Sequence, residues 1–158
     1  MDISFITEKG KFNYRVCAVI LDGERILAMR DERSPYYYLP GGRVKLNETA
    51  EEAVLREVRE ELGVEAKIAR PLWLAQAFFN EDVDKLDYHE LCVYFLMDVS
   101  GTELISRGAR FRLIEREHTH DFEWLPFERL GEEYFYPTFL KKAIFALPEH
   151  FELLTERE

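Results

Sequence analysis

Three glutamates at helical spacing are the residues of this chain best suited to chemistry. Glu57, Glu60 and Glu61 stand at i, i+3 and i+4, which places them on one face of a helix. Like charges at that spacing destabilise a helix by roughly 0.2–0.5 kcal/mol per pair, so a positive partner should compensate them. Hard oxygen ligands on a rigid element suit Mg²⁺ or Mn²⁺. This spacing alone leaves a solvated acidic helix face open as the alternative.

The residues around these glutamates predict the helix that positions them. Thr49 followed three residues later by Glu52 has the form of a capping box, and Gly63 stands where a left-handed residue would end the helix. A period of 3.6 residues gathers four apolar side chains on the face that should meet the core. These side chains are Val54, Leu55, Val58 and Leu62.

The stretch from Gly42 to Val64 carries a longer motif in which these glutamates have fixed places. Its residues are Gly42, Glu48, Arg56-Glu57-Val58, Glu60-Glu61 and Gly63-Val64. They match every defined position of G-x5-E-x7-R-E-U-x-E-E-x-G-U, where U is an aliphatic residue. The stretch resembles the Nudix box, and Leu39-Pro40-Gly41 before it resembles the usual approach to that box.

The resemblance implies a Nudix hydrolase of the α/β class, with a mixed β-sheet between helices in an α/β/α sandwich. At 158 residues the chain should form one domain, residues 1–158. The implied reaction is water attack on a phosphorus of a nucleoside diphosphate linked to another moiety, with Mg²⁺ or Mn²⁺ as cofactor.

Position in the box assigns expected roles to individual residues. The implied metal ligands are Glu57, Glu60 and Glu61, together with the carbonyl of Gly41. Arg56 should orient carboxylates through its fork of donors, so Arg56, Glu57 and Glu60 are the expected catalytic residues. The general base is left open between a box glutamate and an acid from a later loop. Among the loop acids Glu117 is the first candidate, and Glu123 and Glu90 are the alternatives.

Substrate-binding residues are expected next to the box. Arg30 and Arg43 could contact phosphates, although a solvated charge is the commoner role of a lone arginine. Tyr38 and Phe79 could stack on a base, although aromatic side chains beside apolar strands are more often part of a core.

The substrate itself is not specified by the sequence. Phe78 stands where ADP-ribose enzymes of the family often have a proline, and Phe79 and Asn80 stand where diadenosine polyphosphate enzymes tend to have a tyrosine. We therefore favour a nucleoside triphosphate or a nucleotide sugar, with ADP-ribose and dinucleoside polyphosphates as alternatives. A non-catalytic ligand-sensing module and a diphosphate isomerase are the rival classes, and the intact box disfavours both.

Composition narrows the function classes further. An apolar content of 47% favours a globular chain with a substantial core, and a net charge of −10 argues against binding to nucleic-acid backbone. The expected partner is a small nucleotide or pyrophosphate substrate. There is no membrane-spanning pattern or signal peptide, so a cytoplasmic location is the default. Cys17 and Cys92 fall in strand-like segments and are expected as buried free thiols. A homodimer stays open.

Other segments give coarser expectations. Strands are predicted at residues 3–6, 14–21, 25–29, 66–79 (bent near Pro71), 89–99 and 111–114, and at 122–126 before the second helix. The His-rich segment Glu115–Asp121 is predicted to be a loop, and its spacing does not suit a zinc site. Pro137–Leu147 is predicted to be the second helix, and no fold is assigned to the tail from Pro148.

Overall fold

The computed structural model describes residues 1–158 as ten strands, two α-helices and two short 3₁₀ turns. The strands are β1 (Ser4–Thr7), β2 (Gly10–Val19), β3 (Leu21–Asp22), β4 (Arg25–Asp31), β5 (Gly41–Arg43), β6 (Lys67–Asn80), β7 (Asp87–Asp98), β8 (Arg110–Glu115), β9 (His118–Pro126) and β10 (Glu152–Arg157). The helices are α1 (Ala50–Leu62) and α2 (Leu140–Ala143). The α/β class predicted from the sequence is confirmed.

The strands form two sheets. The larger sheet has the order β1-β2-β7-β6-β10, with β5 also paired to β2, and the smaller sheet has the order β3-β4-β9-β8. Strands β2 and β7 run parallel, as do β6 and β10, and the remaining pairs are antiparallel. The register of β6 against β7 shifts on both sides of Pro71, which agrees with the predicted bend.

Helix α1 has the ends that its sequence predicts. The Thr49 side chain accepts a hydrogen bond from the backbone N–H of Glu52 (3.1 Å), and the Glu52 carboxylate accepts one from the Thr49 N–H (2.9 Å). Gly63 ends the helix in the left-handed conformation, with φ of 68°. Both signals depend only on residues close to them in the chain, so the sequence alone predicts both ends of this helix.

Two apolar cores hold the layers together. One contains the inward face of α1, with Val54, Val58 and Leu62 packed among side chains of β2, β4 and β9. The other contains Leu140 of α2 and Ile144 just after it, packed on the opposite side of the strands. The helices therefore cover different faces, as the sandwich prediction requires. No helix of the chain combines the length and the apolar character needed to cross a bilayer.

Two predicted segments differ in the structure. Glu115–Asp121 is not a loop, because β8 and β9 form a hairpin that turns only at Arg116 and Glu117, both with positive φ. The alternation of Phe111, Leu113 and Glu115 on the inward side of β8 continues the strand to the turn. The loop prediction was wrong because it relied on the charged and His residues of the segment and not on this alternation.

The C-terminal region is also different from the prediction. Only Leu140–Ala143 of the predicted helix is α-helical, because the backbone on either side mostly forms i→i+3 hydrogen bonds and no side chain caps the start. The tail from Pro148, left unassigned by the sequence, supplies β10, which lies parallel to β6 from Trp73 to Phe78. This strand depends on a partner about 80 residues away, so no local pattern indicates it.

The approach to the box requires glycine because β5 lies very close to β2. A Cβ at Gly41 would overlap the backbone carbonyl oxygen of Val16, and a backbone atom cannot swing aside as a side chain can. We expect Gly41→Ala to destabilise the protein by about 1–3 kcal/mol, as overpacking does. Urea unfolding would measure this loss. Gly131→Ala is the matched control, since a Cβ there meets nothing within 4 Å, and equal midpoints for the two variants would refute the prediction.

Candidate active site

The box glutamates lie where α1 meets β5. The N–H of Gly41 donates a hydrogen bond to Oε1 of Glu61 (2.9 Å), which ties the helix to the strand. A Cβ at Gly42 would occupy the position of the Glu57 carboxylate, so glycine there leaves the space in which Glu57 sits. The two glycines thus have different tasks, since Gly41 lets two strands approach and Gly42 admits a functional side chain.

Arg56 is the centre of a hydrogen-bond network among the box residues. Its guanidinium donates two bonds to Glu48 (2.7 and 2.9 Å), one to Glu57 (2.8 Å), one to the backbone carbonyl of Arg43 (3.1 Å) and a longer one to Glu60 (3.4 Å). The two bonds from Arg56 to Glu48 hold the pKa of the Glu48 carboxyl at about 2. Arg56 therefore fixes the loop before α1 and the carboxylates on α1 with one side chain.

The electrostatics of the cluster favour an incoming positive charge. Burial, followed by the negative charge of Glu57, raises the pKa of Glu61 well above its ordinary value. Burial also raises the pKa of Glu57, although Arg56 opposes the shift and Glu60 adds to it. Two neighbouring carboxylates are thus disfavoured in their charged form, which is the condition that a bound cation would reverse.

The donor chemistry of the cluster suits Mg²⁺ or Mn²⁺. Oxygen ligands are what these ions prefer, and the gap at Gly42 leaves the Glu57 carboxylate beside β5. No group of three or more His, Cys, Asp or Glu side chains is arranged around a common metal position. Glu57 and Glu60 are bonded to Arg56, and Glu61 is bonded to Gly41, so filling a metal shell would need these side chains to turn.

A cavity of about 430 Å³ lies next to the box. Leu39 and Arg43 are part of its wall, and they lie on either side of Gly41 and Gly42 in the chain. Strands β2, β7, β6 and β10 provide the floor, and the segments around Tyr36 and Tyr134 provide the opposite side. The cavity is large enough for a nucleotide, and Arg43 joins its wall to the box, although Glu57, Glu60 and Glu61 are not part of that wall.

Arg15 on β2 is the cation best placed between the cavity and the box. It lines the cavity, its Nε is buried without a hydrogen-bond partner, and it forms no ion pair. Its charge lowers the pKa values of both Glu57 and Glu61, against the larger effect of burial. Burial opposes the charged form of Arg15, but the charge of Glu90, with smaller effects from other neighbours, raises the pKa of the guanidinium above its ordinary value. A buried N–H group without a partner is costly, so the Nε is free to bond an anion.

The structure separates the four residues that the sequence suggested for substrate binding. Arg43, Tyr38 and Phe79 line the cavity, whereas Arg30 does not. The exposed Arg30 guanidinium lies 4.6 Å from the ring centre of Tyr37. The Tyr38 hydroxyl donates a hydrogen bond to Asp31 (2.9 Å), and Phe79 stacks on Tyr88 with ring centres 5.0 Å apart.

The candidate bases from outside the box also fall in different places. Glu117 is exposed at the tip of the β8–β9 hairpin, and Glu123 is buried in bonds to Arg129 (3.0 Å) and Tyr37 (3.0 Å). Glu90 lies on the cavity floor. Glu115, which the sequence reasoning missed, is half-buried on β8 and its charge helps to raise the pKa of Glu61. The inward alternation from Phe111 was the signal that could have found it.

Comparison with known proteins agrees with this geometry. The family model described as "NUDIX domain" matches residues 11–146. An ADP-ribose pyrophosphatase of Methanocaldococcus jannaschii is 36% identical over 95 residues, which cover 55% of this chain and 54% of that protein. The chain thus matches about half the length of this relative.

Solved structures share the fold. The E. coli ORF135 protein superposes with a TM-score of 0.55 at 25% identity, covering 85% of this chain and 89% of that one. A MutT NUDIX hydrolase from Burkholderia pseudomallei gives a TM-score of 0.54 at 26% identity, covering 74% and 84%. With the complete box on α1, the cavity beside it and a family match over residues 11–146, this chain belongs to the Nudix hydrolase family.

Proposed function

We propose that this chain hydrolyses a nucleoside diphosphate linked to another moiety, by attack of water on a phosphorus of the pyrophosphate. The observation that carries the proposal is that a cavity arginine acts electrostatically on two of the box glutamates. There the carboxylates of Glu57 and Glu61 lie within the electrostatic reach of Arg15, a cavity arginine whose Nε has no hydrogen-bond partner. A pyrophosphate can meet both groups, one phosphate at Arg15 and the other at the carboxylate cluster.

The carboxylates of Glu57, Glu60 and Glu61, with the carbonyl of Gly41, are the groups that would hold Mg²⁺ or Mn²⁺. When bound, such an ion neutralises phosphate charge and lowers the pKa of a coordinated water. Arg56 keeps Glu48 and Glu57 in place through its bonds to both. The site thereby separates a group that orients carboxylates from the groups that would face the substrate.

Among the acids outside the box, Glu115 on β8 is the proposed general base. It lies on the side of β8 that faces the core, and its charge influences Glu61, whereas Glu117 is exposed at the turn. A carboxylate at the edge of an acidic cluster can accept a proton from an attacking water. Glu61, with its raised pKa, is the box residue that could share this task.

The substrates to test include nucleoside triphosphates, nucleotide sugars and ADP-ribose, the last because it is named for the Methanocaldococcus jannaschii relative. We expect cleavage within a pyrophosphate linkage in the presence of Mg²⁺, and none of simple phosphomonoesters, which offer one phosphate to a site built for two. Hydrolysis in ¹⁸O-labelled water followed by mass spectrometry identifies the phosphorus attacked. If every pyrophosphate compound stays intact with Mg²⁺ and with Mn²⁺, the proposed function is wrong.

Glu60→Gln and Glu61→Gln should each lower kcat by about a hundredfold or more, since even residues behind metal ligands cost 10–100-fold when changed. They should also reduce the rise in melting temperature that millimolar Mg²⁺ or Mn²⁺ causes, because ligand binding stabilises the folded state by mass action. Glu51→Gln, an exposed change on the first turn of the same helix, is the control for both measurements.

The metal-free proteins provide a check that the variants fold. The raised pKa of Glu61 means that its stabilising contribution is present below its ordinary pKa of 4.5 and is lost as pH rises through the higher folded value. Glu61→Gln should therefore equal or exceed the wild type in urea unfolding at pH 8. If both variants keep wild-type turnover and the wild-type response to metal, the cluster is not the metal site.

Arg15 and Arg30 form a second matched pair. Arg15→Gln should lower kcat/KM by about tenfold or more, mainly through KM, because it removes a charged hydrogen bond to a substrate phosphate worth about 1.5–3 kcal/mol. Arg30→Gln removes an arginine outside the cavity and should change kcat/KM by less than about twofold. Steady-state kinetics on one substrate measures both. The reverse order of effects would contradict the assignment of Arg15 as the phosphate-binding arginine.

A further inference from the structure

The cavity beside the box has more negative than positive side chains in its wall. Six acids and three arginines line it, and two of those arginines have acidic partners already, Arg33 with Asp31 (2.9 Å) and Arg43 with Asp2 (3.6 Å). Five wall carboxylates form no ion pair: Glu81, Asp82, Glu90, Glu156 and Glu158. A substrate that is anionic along its whole length would be repelled by such a wall.

Three tyrosines meet at one side of the cavity and form an aromatic corner. The ring centre of Tyr36 lies 5.0 Å from that of Tyr136 and 5.5 Å from that of Tyr134, and the Tyr134 and Tyr136 centres are 5.7 Å apart. Their planes are inclined to one another by 54–88°. All three side chains line the cavity, and Tyr134 is 48% exposed, so the corner is open to a ligand.

The carboxylates without ion partners lie beside this corner. Burial raises the pKa of Tyr36, and the charge of Glu81 adds to the rise. Burial, followed by the interaction with Tyr134, raises the pKa of Tyr136 to about 12, and the charges of Glu158 and Asp82 make smaller contributions. A cation bound at the tyrosine rings would therefore also be attracted by these three carboxylates.

The three rings pack on one another, so a ligand can reach only their outer faces, of which Tyr134 has the most exposed. A cation over the face of an aromatic ring is attracted to it, and proteins bind quaternary ammonium groups in this way. We infer that the corner formed by Tyr36, Tyr134 and Tyr136 binds a cationic group, and that the substrate is a nucleoside diphosphate whose second moiety carries an ammonium group. This inference rests on the proposed pyrophosphate hydrolysis and names the chemical class of the moiety beyond the diphosphate.

The cavity wall then has groups for both parts of one substrate. The phosphates meet Arg15, and the ammonium group meets Glu81, Asp82 and the tyrosines. A third phosphate at the corner would face carboxylates and no free arginine. A neutral sugar would find hydrogen-bond acceptors there but would leave the negative charge of the wall uncompensated.

The decisive comparison uses two substrates that differ in one atom. CDP-choline carries a trimethylammonium group, and its 3,3-dimethylbutyl analogue replaces that nitrogen by carbon without a charge. We expect kcat/KM for CDP-choline to be about five- to thirtyfold higher, which corresponds to a cation–π and charge interaction of about 1–2 kcal/mol. Equal values of kcat/KM for the two compounds would overturn the inference and leave the proposed hydrolysis intact.

Variants locate the effect at the corner. Glu81→Gln keeps an oxygen acceptor for the N–H groups of Val83 and Asp84, which Glu81 bonds in the structure, and should lower the preference for CDP-choline severalfold. Tyr136→Phe should keep most of the preference, because the ring remains, and Tyr136→Leu should lose it. Glu132→Gln, an exposed acid outside the cavity, is the control. An unchanged preference in Glu81→Gln and Tyr136→Leu, with melting temperatures near that of the wild type, would also overturn the inference.

A binding measurement that needs no turnover separates the two proposals. Titration of the ¹⁵N-labelled protein with tetramethylammonium chloride should shift the amide signals of residues 36, 134 and 136, and sodium chloride at equal ionic strength should not. If no pyrophosphate is hydrolysed but these shifts occur, the function is wrong and the cation site stands. If tetramethylammonium and sodium give the same spectra, the cation site is absent.

Discussion

The site depends on one arginine placed among acids. Helix α1 carries glutamates on one face whose charges repel, and Arg56 is the cation that makes this arrangement tolerable in the folded chain. Its guanidinium is mostly shielded from solvent, so its bonds to Glu48 and Glu57 are little weakened by water or salt. The same side chain bonds the carbonyl of Arg43 and so fixes β5 against the helix.

Arg56 compensates the negative charge of the glutamates only in part. Arg56 satisfies Glu48 fully with two short bonds, but it reaches Glu60 only at 3.4 Å and does not bond Glu61. Glu61 has only the N–H of Gly41 and is the carboxylate most disfavoured as a charge. A cation would relieve this repulsion, so a metal ion held by the cluster would also stabilise it.

The parts of the molecule that sequence predicts well are those with local causes. Helix α1 could be placed from Thr49, Glu52 and Gly63 because a capping box and a left-handed residue act within a few residues of themselves. The hairpin of β8 and β9 was missed because charged and His side chains masked an alternation that only pairing reveals. Strand β10 and the cavity could not be derived, since both need segments that are far apart in the chain. Arg15 lies inside a predicted strand, and only the structure shows that its Nε has no hydrogen-bond partner.

Strand β10 adds a further consequence. The cavity wall draws Glu156 and Glu158 from the end of the chain and aromatic rings from segments before β5 and before α2, whereas the carboxylate cluster is confined to one helix and its approach. Substitutions in the wall can therefore alter which compounds are accepted while the hydrolytic residues stay unchanged.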